Sequence, residues 1–232
     1  MSELSAGQGR GAGDRVIRHK GPDRIYHWIM AATVLTLLVT AFLPIAGVMF
    51  PWVTIHWIAG VVLTLIVLYH IVRALIWLDW RAMLTIDGGD VRRAVQSAGW
   101  MFRARQAPPD RPGKYPLLQK LYHYGIAVLI IALIVTGGMM LAKVDGPFWK
   151  RDPYFFSTAT WAAVYVIHDL AAMAVLGMVV VHIYFAIRPE KLWITRSMIV
   201  GWITRREYLD NHDPALWRVD DEARDASRRA AE

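Results

Sequence analysis

The sequence predicts an all-α integral membrane protein built as a bundle of four transmembrane helices. The first observation is that the 232-residue chain is 56% apolar and collects its apolar residues into four long runs. The second is that tryptophans cluster near the ends of these runs, as in the aromatic belts of membrane proteins. The third is that six of the eight histidines lie in or beside the runs. An ionisable side chain is costly in lipid, so these histidines indicate a function.

The four runs cover residues 25–42, 53–78, 117–142 and 161–187. Each is close to the roughly 20 residues that an α-helix needs to cross a bilayer. Gly21-Pro22-Asp23 is typical of a helix start, and Pro44 predicts the end of the first span. The connection between the first two spans is short.

The distribution of lysine and arginine predicts the orientation. The N-terminal segment holds five of them, the stretch from Arg73 to Lys120 holds nine, and the segment from Arg188 onward holds nine. The opposite two loops hold only Lys143, Lys150 and Arg151. The positive-inside rule therefore places both termini in the cytoplasm. The net charge of +7 belongs to one membrane face, so no nucleic-acid partner is expected.

Three parts follow from this reading. Residues 1–22 form a basic cytoplasmic tail without periodicity, which we expect to be poorly ordered, and we expect no cleavable signal peptide because no apolar stretch is present there. Residues 23–195 form the membrane domain, with a cytoplasmic connection over about residues 79–116. Residues 196–232 form a C-terminal tail, in which we predict an amphipathic helix from Arg196 and no order in the last dozen residues.

Residues 90–105 of the connection alternate apolar residues with arginines at helical spacing, and Asp90 is a candidate N-cap. Two interpretations are open: an amphipathic helix on the cytoplasmic membrane surface, or a solvated connecting helix.

The chain has no cysteine, which excludes disulfides, cysteine-bound iron–sulfur clusters and covalently attached c-type haem within it. Imidazoles remain as ligands. His168 and His182 lie fourteen residues apart in the fourth span, which leaves them about 40° apart in azimuth and about 21 Å apart along the helix. One span therefore carries an imidazole near each membrane surface, both on the same face.

These positions predict two stacked b-type haems, each held by two axial histidines. His56 lies at the same outer depth as His168. At the inner depth, His27 and His70 can both reach His182, and spacing slightly favours His70 because it follows His56 by fourteen residues. A histidine that only hydrogen-bonds a neighbouring helix is the alternative for any one of them. Gly60 and Gly177 would let a flat macrocycle approach the helix backbones.

Several motifs resemble the membrane cytochrome b subunit of respiratory formate dehydrogenases. They are DRIYHW (23–28), His56 followed by Gly60, GKYPLLQK (113–120), IVTGG (134–138) and the His168–His182 pair ending in HIYFA. The chain is more distantly similar to the cytochrome b subunits of hydrogenases and thiosulfate reductases. The similarity covers residues 23–217, nearly the whole chain.

The resemblance implies that His56 and His168 hold an outer haem and that His27 and His182 hold an inner one, with His70 as the alternative inner ligand. It also implies quinone reduction, with menaquinone or ubiquinone as the bound substrate, near the inner haem at the cytoplasmic side. By position, Gly113, Lys114, Tyr115 and Gln119 line that pocket. Pro116 stands where the family pattern has Asn and cannot donate a hydrogen bond. His70 and His123 are additional, and His123 could take over the lost contact, relay protons or serve the structure.

The function predicted is electron transfer from a periplasm-facing, formate dehydrogenase-like module to quinone in a bacterial inner membrane. The partners implied are an iron–sulfur subunit and a molybdenum or tungsten catalytic subunit, because this chain has no site for substrate oxidation. One alternative is the cytochrome b of a hydrogenase, a thiosulfate reductase or another oxidoreductase, including one that oxidises quinol. An alternative of another class is a haem-free membrane anchor or proton-relay bundle.

Overall fold

The computed structural model describes residues 15–77, 80–103 and 107–219, and these residues are mostly helical. The predicted disorder at the C-terminal end lies outside the described residues. In chain order the elements are β1 (Arg15–Ile17), α1 (Gly21–Phe42), α2 (Trp52–Trp77), α3 (Trp80–Leu84), α4 (Gly88–Met101), α5 (Leu117–Met140), α6 (Thr158–Ile187), α7 (Leu192–Val200), β2 (Trp202–Thr204) and α8 (Arg205–Asn211).

Four of these helices are long and apolar enough to cross a membrane, which confirms the four predicted spans. They cover Gly21–Phe42, Trp52–Ile76, Leu117–Lys143 and Thr158–Ile187 among the described residues. The threonine hydroxyls of these helices donate to the carbonyl four residues earlier in the same helix, as seen for Thr33, Thr36, Thr40, Thr64 and Thr136. Such bonds let a hydroxyl lie in lipid without an unpaired donor.

The chain divides into two compact units. The first, here called the bundle unit, comprises Ile25–Leu78 and Tyr122–Phe185. Its core contains one buried residue from each span: Leu38 of α1, Leu63 of α2, Ile130 of α5 and Val175 of α6. The core is therefore a single apolar layer to which all four helices contribute.

The second unit, here called the mixed unit, comprises Met1–Arg24, Asp79–Leu121 and Ala186–Glu232. In it β1 pairs antiparallel with β2, with Val16 opposite Ile203. These two side chains are buried together with Tyr208 and Trp217. Burial of apolar surface thus holds the two ends of the described chain together.

The mixed unit corrects three predictions. The segment 1–22 was expected to lack structure, but Arg15–Ile17 is a strand because its partner strand and the aromatic residues of the tail cover it. The tail from Arg196 is not one amphipathic helix, since Gly201 adopts φ +92° and ends α7, and β2 and α8 follow. The fold is therefore mostly, but not entirely, α-helical.

The N-cap of α4 is Asp87, not Asp90. The Asp87 carboxylate accepts a hydrogen bond from the Asp90 backbone N–H, and the Asp90 side chain accepts from the Asp87 N–H, which forms a capping box. Asp90 also accepts from Lys120 Nζ at 2.6 Å and from Arg93 at 2.8 Å. Burial raises the pKa of Asp90, but these two cations outweigh burial and hold its pKa below the usual value.

The apolar face of α4 is exposed, at Val91, Val95 and Trp100. Both interpretations of this helix, membrane-surface and solvated, stay predictions.

Candidate functional site

The outer histidine pair joins two spans within the bundle unit. His56 of α2 and His168 of α6 have ring centroids 6.3 Å apart, with their planes at 65°. Both side chains are half-buried. The structure therefore brings together the two residues that the sequence assigns to the same outer depth.

Threonines of the other two spans orient these rings. Thr40 Oγ1 of α1 lies 2.8 Å from His56 Nδ1, and Thr136 Oγ1 of α5 lies 2.8 Å from His168 Nδ1. Each hydroxyl has one hydrogen, which it donates to a backbone carbonyl of its own helix. Each hydroxyl oxygen therefore accepts from its histidine, so Nδ1 carries the proton and the Nε2 lone pair remains for a metal.

The IVTGG motif supplies this geometry on α5. Thr136 is its third residue and is itself buried. At the next position, a Cβ on Gly137 would lie 3.4 Å from His168 Cε1, so the glycine lets the imidazole lie against the helix backbone. The motif thus both bonds and accommodates one histidine.

The inner pair has the same separation. His27 of α1 and His182 of α6 have ring centroids 6.3 Å apart, with their planes at 48°. Tyr122 stacks on the His182 ring at 5.5 Å. Nδ1 of His27 is buried and has no hydrogen-bond partner among the described residues. The inner imidazoles are therefore positioned by ring packing rather than by hydroxyls.

His70 lies in another cluster. Its ring stacks on Tyr26, with centroids 4.6 Å apart, and lies 6.3 Å from the ring of His123. The structure thus brings His27 next to His182 and pairs His70 with His123, whereas helical spacing alone slightly favoured His70 for His182. Spacing could not decide this point because it fixes the depth of a residue but not how a helix is rotated against its neighbours.

The ring separations fit two imidazoles on opposite sides of one metal ion. A metal–imidazole bond is about 2 Å long. A ring nitrogen lies about 1.2 Å from the ring centre, as ring bond lengths require. The centroids of two such ligands are therefore roughly 6 Å apart. Both pairs show this separation, and so does His70 with His123. Among the described residues no group of three or more His, Cys, Asp or Glu could hold a metal ion. In haem, the macrocycle supplies the other ligands of the iron.

Space for a flat group is present beside two glycines. A Cβ built on Gly60, one turn after His56, would meet nothing within 4 Å, and the same holds for Gly177 on α6. The residues of both pairs therefore fit b-type haem by ligand type and ring separation.

The apolar core lies midway between the two levels. Leu63 is seven residues from both His56 and His70, and Val175 is seven from both His168 and His182. Seven residues of helix rise about 10 Å. One layer of buried aliphatic side chains therefore lies between the outer histidines and the inner ones.

The residues predicted to contact quinone divide between the two units. Gly113, Lys114, Tyr115 and Gln119 belong to the mixed unit, and His123 belongs to the bundle unit. Pro116 precedes α5, and its carbonyl accepts from the N–H groups of Gln119 and Lys120, so it starts the helix.

The sequence did not indicate a role for two groups of residues. Thr40 and Thr136 looked like ordinary threonines of a span, and only the motif containing Thr136 hinted at a role. Arg18 and His212 gave no signal, because they lie in segments without periodicity. In the structure both are buried and lie 2.9 Å apart.

Residues 18–201 match the profile of the family described as prokaryotic cytochrome b561. The chain is 26% identical to the formate dehydrogenase cytochrome b556 subunit of Haemophilus influenzae, over 88% of this chain and 83% of that protein. It is 24% identical to the formate dehydrogenase cytochrome b556(fdo) subunit of Escherichia coli K12, over 94% and 98%. It is 25% identical to a probable Ni/Fe-hydrogenase B-type cytochrome subunit of Bradyrhizobium diazoefficiens, over 83% and 86%.

Proposed function

Because the chain belongs to the prokaryotic cytochrome b561 family, we propose that it is the dihaem cytochrome b subunit of a formate dehydrogenase-like membrane complex. In this role it passes electrons from a periplasm-facing oxidoreductase module to quinone at the cytoplasmic side. The observation that carries the proposal is that His168 and His182, fourteen residues apart on α6, each have the ring of a histidine from another span 6.3 Å away.

The axial ligands proposed are His56 and His168 at the outer site and His27 and His182 at the inner site. Bound there, haem iron would supply one-electron oxidation and reduction. Thr40 and Thr136 keep the proton of each outer imidazole on Nδ1, so the ligating nitrogen is always unprotonated. His70 is the competing inner ligand, but its ring contacts with Tyr26 and His123 favour His27.

The buried layer around Leu63 and Val175 keeps water and ions from the space between the two levels. In a dry, apolar environment charge is costly, so protons and ions do not follow the electrons across the bundle. Quinone is proposed to be reduced beside Gly113, Lys114, Tyr115 and Gln119, with His123 as a further polar contact. The protons would then come from the cytoplasm, which makes the transfer electrogenic.

The distribution of Lys and Arg supports cytoplasmic termini and a multi-pass location in a bacterial inner membrane. The positions of the spans, together with this distribution, support the division into a basic tail (1–22), a membrane domain (23–195) and a C-terminal tail (196–232). The proposed partners are an iron–sulfur subunit and a molybdenum or tungsten catalytic subunit.

The second candidate is the cytochrome b of a Ni/Fe-hydrogenase. The observation in its favour is the 25% identity to a probable hydrogenase B-type cytochrome, nearly equal to the 26% identity to a formate dehydrogenase subunit. The haem ligands would be the same, and only the soluble partner would differ.

Purification from the native membrane tests both proposals. A formate dehydrogenase complex should bring down a molybdenum- or tungsten-containing subunit and should reduce the cytochrome on addition of formate. Reduction by hydrogen gas, with nickel in the complex, would favour the hydrogenase instead. A purified chain without a b-type haem spectrum would contradict both cytochrome proposals and would favour a membrane anchor or a proton-relay bundle.

A further inference from the structure

A buried cluster in the mixed unit, here called the tail clamp, holds the loop before α5 by its backbone. The clamp consists of Arg18 after β1, His212 after α8 and Trp217. Their exposed fractions are 5%, 3% and 3%. It therefore joins two distant parts of the sequence.

The clamp and the neighbouring Asp213 backbone make three contacts to consecutive carbonyls of that loop. His212 Nδ1 lies 2.8 Å from the Gly113 carbonyl oxygen, and the Asp213 N–H donates to the Pro112 carbonyl at 2.9 Å. Arg18 Nη2 lies 3.5 Å from the carbonyl of Lys114. Three successive carbonyls that face one cluster fix the path of the backbone through Gly113.

The bonds of His212 define its tautomer. Arg18 Nη1 can only donate, so His212 Nε2, at 2.9 Å, accepts from it. The Gly113 carbonyl can only accept, so Nδ1 of His212 donates. Both ring nitrogens are thereby used in the neutral form. Burial, followed by the Arg18 charge, lowers the pKa of His212 to about 4, so this form persists at physiological pH.

Gly113 is required by close approach. A Cβ there would lie 3.3 Å from Leu216 Cβ and 3.4 Å from the Leu216 carbonyl oxygen. The clamp also orients the side chain of Lys114, because Lys114 Nζ lies 5.6 Å from the centre of the Trp217 ring. The same Nζ lies 5.9 Å from the centre of the Tyr115 ring. The tail therefore sets both the backbone at Gly113 and the direction of Lys114.

We propose that His212 is a positioning residue of the quinone site, which it serves by holding the Gly113–Tyr115 segment through the Gly113 carbonyl. The proposal rests on the proposed function, in which that segment contacts quinone. His212 touches neither quinone nor haem in this account. It acts through the loop backbone, and the Nδ1–H donor is the group that matters.

Two substitutions separate this donor from mere packing. In His212→Asn the side-chain amide nitrogen can occupy the position of Nδ1 and donate to Gly113. In His212→Gln the amide can take the position of Nε2 near Arg18 but leaves the Gly113 carbonyl without its donor. Both variants are polar and smaller than or close to histidine in volume, so they form a matched pair, with His212→Ala as the full deletion.

The experiment uses the full-length, haem-loaded chain in detergent. Binding of a fluorescent hydroxyquinoline N-oxide, a quinone-site probe, is measured by fluorescence quenching. The rate at which a soluble naphthoquinone oxidises the reduced cytochrome is measured at increasing quinone concentration. Haem per polypeptide is measured on the same samples. We expect His212→Gln and His212→Ala to weaken probe binding about tenfold or more. We also expect them to raise the half-saturating quinone concentration, while His212→Asn stays near wild type and all keep their haem.

Equal probe binding by wild type, His212→Asn and His212→Gln would overturn the proposal, and so would equal weakening of the two variants, which would show a packing role. If His212→Ala fails to accumulate, the Asn and Gln pair still decides. If the proposed function itself were wrong, the wild-type chain would bind no probe or no haem, which distinguishes that outcome from failure of the His212 proposal.

Discussion

His56 and His168 of the bundle unit and His212 of the mixed unit illustrate two opposite uses of the imidazole. His56 and His168 each give Nδ1–H to a threonine, which leaves the Nε2 lone pair available. His212 gives Nδ1–H to Gly113 and accepts from Arg18 on Nε2, so no lone pair is left. A histidine with one nitrogen in reserve can bind a metal, whereas one with both nitrogens bonded is part of the structure.

Loss of a ligand should give the largest effect. We expect His168→Ala and His56→Ala each to remove one of two haems per chain, because one imidazole leaves the iron without its second axial ligand. His212→Ala should keep both haems, since its nitrogens serve the loop. Haem content by the pyridine haemochrome assay, normalised to protein, measures the difference. Haem loss in His212→Ala with retention in His168→Ala would reverse the comparison.

The inner site sharpens the comparison next. We expect His27→Ala and His182→Ala to lose the inner haem, and His70→Ala to keep it, because the His27 ring is the one 6.3 Å from His182. Reduced-minus-oxidised spectra of the three variants count the remaining haems. Loss of haem in His70→Ala together with retention in His27→Ala would show that the ligand assignment is wrong.

The threonine hydroxyls should have a smaller effect than the ligands they orient. Thr136→Val should weaken the outer haem site about 10- to 100-fold, because such hydrogen-bonding partners fix the tautomer and orientation of a ligating histidine. Thr33→Val is the matched control, since Thr33 is also buried and its hydroxyl bonds a carbonyl of its own helix at Ile29. Haem loss is followed on titration with apomyoglobin. Identical curves for the two variants would mean that the hydroxyl at position 136 does not support the ligand.

These predictions depend on features that the sequence revealed unequally. The four spans were predictable because crossing lipid requires about 20 apolar residues, a requirement written locally in the chain. The depth of the histidines followed from helical rise. The choice of His27 over His70 and the bonds from Thr40 and Thr136 depend on how neighbouring helices are rotated, and no local pattern records that. The family resemblance implied His27 but not the threonines.

The mixed unit was less predictable still. Its strands have three residues each, too few to show an alternating pattern, and their pairing joins Arg15 to Thr204 across most of the sequence. The N-cap of α4 was misplaced by three residues because both aspartates take part in one capping box. His212 was missed because its partners, Arg18 and Gly113, are 194 and 99 residues away.

Stability at acid pH should show the smallest effect and separates the two histidine types by titration. The pKa of His212 is lowered from 6.5 to about 4 in the folded chain. Between pH 6.5 and pH 4, His212 is therefore protonated in the unfolded chain but neutral in the folded one. The contribution of His212 is therefore fully present above pH 6.5 and is lost as pH falls towards 4. The melting temperature of wild type should therefore fall as pH drops through this window, and His212→Asn should remove that part of the pH dependence. An unchanged slope in His212→Asn would contradict the buried neutral form.

The haem-to-polypeptide ratio of the purified wild-type chain tests the central claim most directly. The claim is that imidazoles from α1, α2 and α6 bind iron at two levels of the bundle. Quantitative amino-acid analysis combined with the pyridine haemochrome assay should give two b-type haems per chain. A ratio of one would remove one of the two sites, and a ratio of zero would contradict the account of the bundle as an electron-transfer protein.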